Sequence, residues 1–349
     1  MQNIRIGSRE IGQGQPCYVI AEAGINHNGR LDLAKRLIDV AVEAGADSVK
    51  FQMFKTGKLL SKKVVEGQHI RLEGGEDSSV FDAIKKVEFT QEMCREAFDY
   101  AKKKGITLFA SACDAESIEF LESIGVKALK IASCDITNIP LLRRFAKTGK
   151  PLILSTGMSD LKEVKEAVNV LKQNGAKEIA LLHCLAQYPA KVEESNLRAI
   201  EAMEKEFGVP AGFSDHSAGT FIAPVAVAAG AKLFEKHFTL DKDMWGFDHK
   251  ASANPEELKK IVEDIRLAEK ALGTGEKKPT NGEEELKKAM RRSITANQDI
   301  AKGTVLQEKM LAIKRPGTGL PSKRLPEVVG KKAKKGIKED ELISLEDLE

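Results

Sequence analysis

Two histidines, His216 and His237, follow two consecutive short apolar segments of the sequence. Two neutral imidazoles that leave coordination positions open suit a divalent metal such as Mn²⁺, Fe²⁺, Co²⁺ or Zn²⁺. Because side chains alternate along a strand, Ser214 shares a face with His216, and Glu235 shares one with His237. Either residue could orient a ligand or a bound water. One such histidine is more often a hydrogen-bonded core residue, and only the pair favours a metal site.

Two lysines, Lys50 and Lys130, occupy equivalent positions in the second and fourth apolar segments. Lysine is rarely buried without a partner, so an anionic ligand is expected beside them. The residues that could complete a cradle for phosphate and carboxylate groups are Gln52, Ser133, Ser155, Thr156 and Ser214. Two alternatives stay open, a Schiff base formed by a lysine and a salt bridge from a lysine to Glu22 or Asp135.

Carboxylates follow the first and the eighth segments. Glu22 could accept hydrogen bonds from sugar hydroxyls or act as a base, and Asp248 could do the same from a loop. Each is a weak signal by itself, because a single carboxylate could equally pair with Lys50 or with a helix amino end.

Eight apolar segments separated by helical patterns must position these side chains. Alternating strands and helices in this number predict a (β/α)₈ TIM barrel, whose active site lies at the carboxyl ends of its strands. The predicted strands are residues 19–22, 48–52, 107–111, 128–133, 152–156, 180–184, 212–216 and 233–237. The predicted helices are residues 31–44, 90–104, 116–124, 160–174, 194–207, 219–229 and 255–272.

The rest of the chain divides at changes of composition. Residues 55–88, which include Gly74 to Ser79, form a long polar insertion that is either a lid over the site or a disordered surface loop. We predict a catalytic barrel over residues 1–274, a linker over 275–289 and a small β-rich domain over 290–349.

Composition excludes several classes of protein. The net charge of +3 in 349 residues argues against a dedicated nucleic-acid binder. No apolar stretch approaches the roughly 20 residues of a membrane span. The amino-terminal residues lack the pattern of a signal peptide, and five scattered cysteines without a Cys-x-x-Cys pair indicate reduced thiols. We therefore expect a cytoplasmic protein that binds neither nucleic acid nor membrane.

These residues lie in stretches that resemble the sialic acid (N-acylneuraminate, or nonulosonate) synthases, the NeuB-like family, over nearly the whole chain. The matching stretches are residues 20–29 (IAEAGINHNG), 49–52 (VKFQ), 129–133 (LKIAS), 149–158 (GKPLILSTGM), 213–219 (FSDHSAG) and 234–239 (FEKHFT). The basic tail, with residues 314–319 (KRPGTG), resembles the antifreeze-like SAF domain of that family.

The resemblance implies a transferase that condenses phosphoenolpyruvate with an N-acylated amino sugar, giving a nine-carbon 2-keto acid and phosphate by C–O cleavage. It implies that His216 and His237 hold a divalent metal, most simply Mn²⁺, with Mg²⁺ or Co²⁺ as alternatives. The implied phosphoenolpyruvate contacts are Lys50, Gln52, Lys130, Ser133, Ser155 and Ser214. The implied sugar contacts are Glu22, Tyr188, Asp248 and Arg315, with Glu22 also a candidate base. Arg315 would reach into the barrel of a partner in a domain-swapped homodimer.

Three stretches depart from the family pattern. Leu185-Ala186-Gln187-Tyr188-Pro189 lacks the usual hydroxyl side chain, Asp135 replaces a frequent glutamate, and residues 111–114 (SACD) replace a Thr-Pro-Phe ending. The acceptor could therefore be N-acetylmannosamine, a legionaminic or pseudaminic acid precursor, or a sugar phosphate. Outside the family, a Schiff-base aldolase using Lys130 and a non-catalytic sugar-binding protein remain as alternatives.

Overall fold

A closed barrel of eight parallel strands forms the larger part of the protein. The computed structural model describes residues 2–71 and 77–349. The barrel strands neighbour one another in chain order, and the last pairs with the first. Their bounds are β3 (Tyr18–Gly24), β4 (Ser48–Met53), β7 (Thr107–Ala112), β8 (Leu129–Ile131), β9 (Leu152–Ser155), β10 (Ile179–Cys184), β11 (Ala211–Asp215) and β12 (Leu233–His237). The predicted barrel and all eight of its strands are confirmed.

Helices cover the outside of the barrel. Their bounds are α1 (Leu31–Glu43), α4 (Gln91–Lys104), α5 (Ala115–Ser123), α6 (Ile139–Lys147), α7 (Leu161–Gln173), α8 (Arg198–Phe207), α9 (Ile222–Ala228) and α10 (Pro255–Leu272). Side-chain caps fix several of their starts, as where Asp160 accepts the N–H of Glu163 at 2.9 Å. The sequence analysis missed α6, a helix of nine residues that buries Leu141, Leu142 and Phe145.

A short antiparallel hairpin lies at the amino ends of the barrel strands. It consists of β1 (Ile4–Ile6) and β2 (Arg9–Ile11), and the isoleucines at its ends are buried in the barrel core. The N–H of Arg5 donates to Glu178, which directly precedes β10. The hairpin therefore leaves the carboxyl ends of the strands as the open face of the barrel.

The long insertion after β4 contains regular structure. It includes α2 (Thr56–Leu59), the paired strands β5 (His69–Arg71) and β6 (Asp77–Ser79), and α3 (Val80–Lys86). The alternative of a disordered loop is wrong for these elements, and Ser79 caps α3 by accepting the N–H of Asp82 at 3.1 Å. Gly74, Gly75 and Glu76, which the prediction included, lie outside the described residues.

The chain divides into two compact units, Met1–Gly273 and Thr274–Glu349. The second unit pairs β13 (Ser293–Ala296) with β14 (Leu311–Lys314), includes the short helix α12 (Leu325–Val328), and has its own small apolar core. Residues 275–289, predicted as a linker, contain most of a further helix, α11 (Asn281–Met290), which begins at a capping box of Thr280 and Glu283. Within the described residues, none of the helices is long and apolar enough to cross a membrane.

Candidate active site

A cavity of about 330 Å³ lies at the carboxyl ends of the barrel strands and collects most of the predicted site residues. The predicted residues that line it are Glu22, Lys50, Gln52, Lys130, Ser133, Ser155, Tyr188, Ser214, His216 and His237. A second cavity of about 410 Å³, which includes Lys102 and Lys127, lies near the amino end of β7 and contains none of them. Chemistry, rather than size, therefore identifies the candidate site.

Lys50 lies between two carboxylates at the floor of this cavity. Its Nζ is 2.9 Å from Glu22 Oε2 and 3.5 Å from Glu235 Oε2, and all three side chains are buried. Burial alone would lower the pKa of Lys50, but the two carboxylates outweigh it and raise that pKa. The alternative of a salt bridge to Glu22 is thus observed in this structure.

The two carboxylates differ in the net direction of their pKa shifts. Burial raises the pKa of Glu22 above its ordinary value, although Lys50 opposes this shift. Burial acts in the same direction on Glu235, but Lys50 and Lys130 outweigh it and lower the pKa of that residue. Glu235 therefore favours its ionised form, and Glu22 is the member of the pair that accepts a proton more readily.

Lys130 faces the same cavity, and none of the described carboxylates forms an ion pair with it. Its Nζ donates to Ser155 Oγ at 2.6 Å and to the carbonyl of Ile131 at 3.1 Å. Burial lowers the pKa of this ammonium group. A buried cation held only by neutral acceptors is a strong candidate for binding an anion.

Ser133 is placed beside this lysine by a close approach of backbone. Its Oγ accepts the N–H of Gly157 at 3.0 Å and lies 3.2 Å from Cys184 Sγ. A Cβ added at Gly157 would lie 2.8 Å from that sulfur, so only glycine fits there. The hydroxyls of Ser133 and Ser155 therefore have fixed positions next to Lys130.

The two histidines meet at the opposite side of the cavity. Their ring centroids are 5.6 Å apart, and burial lowers the pKa of both, that of His216 to about 3. His216 Nδ1 donates to the carbonyl of Leu185, so its Nε2 is an acceptor. The hydroxyl of Tyr188 donates to that Nε2 at 3.0 Å, and the two rings stack with centroids 4.1 Å apart.

The donor set around this histidine pair fits a divalent metal. In the described part of the chain, no group of three or more His, Cys, Asp and Glu side chains is already arranged around a metal position. The lowered pKa of both imidazoles favours the neutral form, which metal ligation requires. The buried Nδ1 of His237 makes no hydrogen bond to any described residue, and Asp248 Oδ2 lies 3.8 Å from it. His216 and His237 are the residues that would hold the metal.

Asp248 and Arg315 stand apart from the other predicted residues. Asp248 contacts His237 but is not among the side chains that line the cavity, and burial raises its pKa. Arg315 is exposed in the second unit, directly after β14. The predicted role of Arg315 in a partner's barrel stays a prediction.

The departures from the family pattern fall partly inside the cavity. Ala186 lines the cavity and Gln187 does not, so Gln187 supplies no replacement contact in this structure. Ser111 and Cys113 also line it, whereas Asp114 caps α5 by accepting the N–H of Ser117 at 2.9 Å. Asp135 lies outside the cavity lining, and its Oδ1 accepts a hydrogen bond from Asn138 Nδ2 at 3.2 Å. The aspartate at this position therefore contributes to the local turn.

Several lining residues were missed as site residues. Ser214 donates to Glu235 at 2.8 Å, which places Glu235 in the charged floor although the sequence only suggested an orienting role. The missed set is Phe54, Leu59, Ser111, Cys113, Ala132, Cys134, Met158, Cys184, Ala186 and Glu235. Alternation from His237 was the available signal for Glu235, whereas loop residues such as Leu59 carry no periodic signal.

The fold and the site together define a barrel enzyme, with two buried lysines and a histidine pair in one cavity. Residues 37–277 match the NeuB family model, and residues 291–349 match the SAF domain. The chain therefore belongs to the NeuB family, as the resemblance implied.

Named relatives support the same family membership. N,N'-diacetyllegionaminic acid synthase of Campylobacter jejuni is 45% identical, over 93% of this chain and 98% of that protein. Human N-acetylneuraminate-9-phosphate synthase is 36% identical, over 96% and 93%. The crystal structure of a sialic acid synthetase from Leptospira borgpetersenii, in complex with citrate, is 37% identical with a TM-score of 0.72, and it covers 82% of this chain and 95% of that one.

Proposed function

We propose that this enzyme condenses phosphoenolpyruvate with an N-acylated amino sugar to give a nine-carbon 2-keto acid and phosphate. The observation that carries the proposal is one cavity holding two buried lysines, a carboxylate of raised pKa and a neutral histidine pair. The names of its relatives, which include legionaminic acid and neuraminate phosphate synthases, support a nonulosonic acid as the product.

Phosphoenolpyruvate would lie against Lys130, Ser133 and Ser155. Lys130 offers its charge without a carboxylate partner among the described residues, and the two hydroxyls add donors beside it. Lys50 and Gln52 would bind the other acidic group of the same molecule, since both line the cavity and their donors, which now contact Glu22, can be shared with a ligand. Charge-assisted hydrogen bonds of this type fix both position and orientation.

The acceptor aldehyde would lie on the histidine side of the cavity. A divalent metal held by His216 and His237 supplies Lewis-acid polarisation of a carbonyl when bound. The hydroxyl of Tyr188 now donates to His216, and it would turn to a sugar oxygen when the acceptor enters.

The reaction then needs one water and one base. The methylene carbon of phosphoenolpyruvate attacks the aldehyde carbon, which forms the C–C bond, leaves positive charge at C2 and turns the aldehyde oxygen into an alkoxide. Water adds to C2 and loses a proton to Glu22, and Glu22 passes that proton to the alkoxide, which becomes a hydroxyl. The tetrahedral intermediate then breaks its C–O bond to phosphate, and its C2 hydroxyl gives its proton to the leaving phosphate as the keto group forms. Burial raises the pKa of Glu22, which matches it to this proton transfer.

A Schiff-base aldolase is the second candidate, and one observation favours it. Burial lowers the pKa of Lys130, and a neutral amine is the nucleophile in such enzymes. Borohydride added with the substrates distinguishes the two reactions. If the enzyme is a synthase, we expect no covalent adduct between Lys130 and substrate. We also expect turnover to be lost when the metal is chelated and to recover when Mn²⁺ is added. A trapped adduct on Lys130 with turnover that resists chelation would favour the aldolase.

Steady release of phosphate tests the proposed function as a whole. Phosphate is measured with phosphoenolpyruvate and a panel of N-acylated hexosamines, beside each compound alone. Release that requires both compounds, with a product mass equal to a nine-carbon 2-keto acid, is expected. If the protein binds sugar but releases no phosphate from phosphoenolpyruvate with any hexosamine of the panel, it is the non-catalytic sugar-binding protein.

The dimer enters the proposal through Arg315. We propose that Arg315 contacts the acyl group of a sugar bound in a partner's barrel, within a cytoplasmic homodimer. Truncation after Gly275 should then raise the KM for the sugar. An unchanged sugar KM in that variant would contradict this role.

A further inference from the structure

Buried polar side chains join the loops that follow the first and the last strand of the barrel. These loops are residues 25–30 after β3 and residues 238–254 after β12, and the two strands are paired neighbours. The proposed reaction uses none of the buried side chains that join them, which are Asn26, Thr239, His249 and Ser252. A buried hydrogen-bonded network fixes one arrangement of the backbone segments that it connects.

The first connection runs from Asn26 to the backbone of Asp248. Asn26 Nδ2 donates to the carbonyl of Phe238, directly after His237, at 2.8 Å, and to Ser252 Oγ at 2.9 Å. Ser252 Oγ donates in turn to the carbonyl of Asp248 at 2.7 Å. The two hydrogens of the amide and the single hydrogen of the hydroxyl are each used once in this order. Asn26 and Ser252 therefore fix Asp248 relative to the strand end that carries His237.

The second connection holds the same loop through His249. Asn28 Nδ2 donates to the carbonyl of Trp245 at 2.6 Å, and its Oδ1 accepts from His249 Nε2 at 3.1 Å. Because that amide oxygen can only accept, Nδ1 of His249 is the acceptor for the hydroxyl of Thr239, at 2.6 Å. A Cβ added at Gly246 would lie 2.4 Å from the His249 ring, so only glycine fits there. The loop is thus held on both sides of Asp248.

The carboxylate of Asp248 is left available to a ligand by this arrangement. Its Oδ2 lies 3.8 Å from Nδ1 of His237, which lines the cavity, and the side chain is 22% exposed. Among the described residues, none donates a hydrogen bond to this carboxylate, whereas Glu22 already contacts Lys50 and Gln52. The backbone of Asp248 is therefore fixed, and its carboxylate oxygens can accept hydrogen bonds from hydroxyl groups.

We propose that Asn26 and Ser252 are positioning residues, which hold Asp248 so that its carboxylate accepts hydrogen bonds from hydroxyls of the acceptor sugar. The inference rests on the proposed function, which places the acceptor on the histidine side of the cavity. The physical reason is preorganisation. A carboxylate on a long loop that is already fixed binds a sugar without the entropy cost of ordering that loop.

The test removes one oxygen atom from the connection. Ser252→Ala breaks the hydrogen bond to Asp248, and phosphate release is followed in the full-length enzyme with Mn²⁺ and the hexosamine of the panel that supports the fastest release. The KM for the sugar should rise by about tenfold, because a small misplacement of a binding group weakens its contacts. The KM for phosphoenolpyruvate should stay within about twofold of the wild-type value, because its proposed contacts lie elsewhere in the cavity.

Ser195→Ala is the matched control. Ser195 is also a buried serine, it lies outside the cavity lining, and its Oγ makes no hydrogen bond to any described residue. This variant should leave both KM values unchanged. Thermal unfolding of both variants reports any loss of stability separately from the change in KM.

A double variant shows whether Ser252 acts through Asp248. Asp248→Asn alone should raise the KM for the sugar at least as much as Ser252→Ala does. In the Asp248→Asn background, Ser252→Ala should change that KM by less than about twofold, because the group that it positions is already altered. A purely structural role for Ser252 would instead give the same rise in both backgrounds.

The possible outcomes separate this inference from the proposed function. An unchanged sugar KM in Ser252→Ala, an equal rise of both KM values, or additive effects in the double variant would overturn the inference while leaving the proposed function intact. If the wild type releases no phosphate with any hexosamine of the panel, the proposed function fails, and the inference fails with it.

Discussion

Asp215 and Lys236 form a buried ion pair directly beside the histidine pair. They occupy paired positions on β11 and β12, one residue before His216 and His237, and Lys236 Nζ lies 2.8 Å from Asp215 Oδ2. Lys236 also donates to the carbonyl of Ser217, and Asp215 accepts the N–H of Ser217 at 2.8 Å. Alternation directs these two side chains away from the cavity, so the pair fixes the strand ends from behind.

Breaking this ion pair should cost stability. Lys236→Met leaves the Asp215 carboxylate buried without its partner, which costs about 3–5 kcal/mol of unfolding free energy. The double variant Asp215→Asn, Lys236→Met removes both charges and should recover most of that loss. Denaturant unfolding of the wild type, the single variants Lys236→Met and Asp215→Asn, and the double variant measures the coupling. Additive losses in the double variant would mean that the two residues act independently.

Lys130 should control affinity for phosphoenolpyruvate. Lys130→Met removes a buried charge that hydrogen-bonds Ser155, so the KM for phosphoenolpyruvate should rise by about tenfold to a hundredfold. Lys127→Met is the control, because Lys127 is exposed and lines the other cavity. Steady-state kinetics at saturating sugar give the comparison. The same KM in Lys130→Met and Lys127→Met would remove Lys130 from the anion site.

Metal binding should depend on His216 more than on a histidine elsewhere. His216→Ala removes an imidazole of the proposed site and should abolish tight Mn²⁺ binding in equilibrium dialysis. His183→Gln is the matched control, since His183 is paired with the carbonyl of Ser195 and does not line the cavity. Bound Mn²⁺ and turnover that both survive in His216→Ala would contradict the metal assignment.

Acid should destabilise the barrel in part through His27. Burial lowers the pKa of His27 to about 4, from 6.5, because the ring packs against Phe51 and Phe89. A lowered folded pKa means that the unfolded chain binds the proton first. The stability is therefore present above pH 6.5 and is lost as pH falls toward 4, by up to about 3 kcal/mol for this group.

The measurement is the unfolding free energy at pH 7 and at pH 4.5. His27→Gln should lose less stability than the wild type between these two values, because one titrating group is gone. Other buried histidines titrate in the same direction, so a smaller loss rather than none is expected. An equal loss of unfolding free energy in both proteins would mean that His27 does not contribute to the acid sensitivity.

The sequence was sufficient for the barrel and for most of the floor of the cavity. Polar residues such as Lys50 and His237 end apolar strands, and strand alternation together with barrel closure brings them to one place. The loop residues that line the cavity could not be predicted in the same way. Leu59 and Cys134 lie in connections without a period, and their place depends on how the loops pack.

Local signals also explain the errors of detail. The nine residues of α6 begin after the cap residue Asn138 and include Pro140 in the first turn, a start signal that the periodicity analysis did not use. Helix α11 was predicted as part of the linker, because its apolar residues Leu286 and Met290 are too few for a clear helical period. The opposite pKa shifts of Glu22 and Glu235 follow from their surroundings, because Lys50 acts on both carboxylates whereas Lys130 and Ser214 lower the pKa of Glu235 in addition, and no sequence pattern gives this difference.

The most direct test of the central claim follows the oxygen atom that bridges carbon and phosphorus in phosphoenolpyruvate. The purified enzyme is incubated with Mn²⁺, an N-acylated hexosamine and phosphoenolpyruvate labelled with ¹⁸O at that position, and the products are analysed by mass spectrometry. The account predicts labelled phosphate together with an unlabelled nine-carbon 2-keto acid. Label retained in the keto acid, or phosphate release no greater than without sugar, would contradict it.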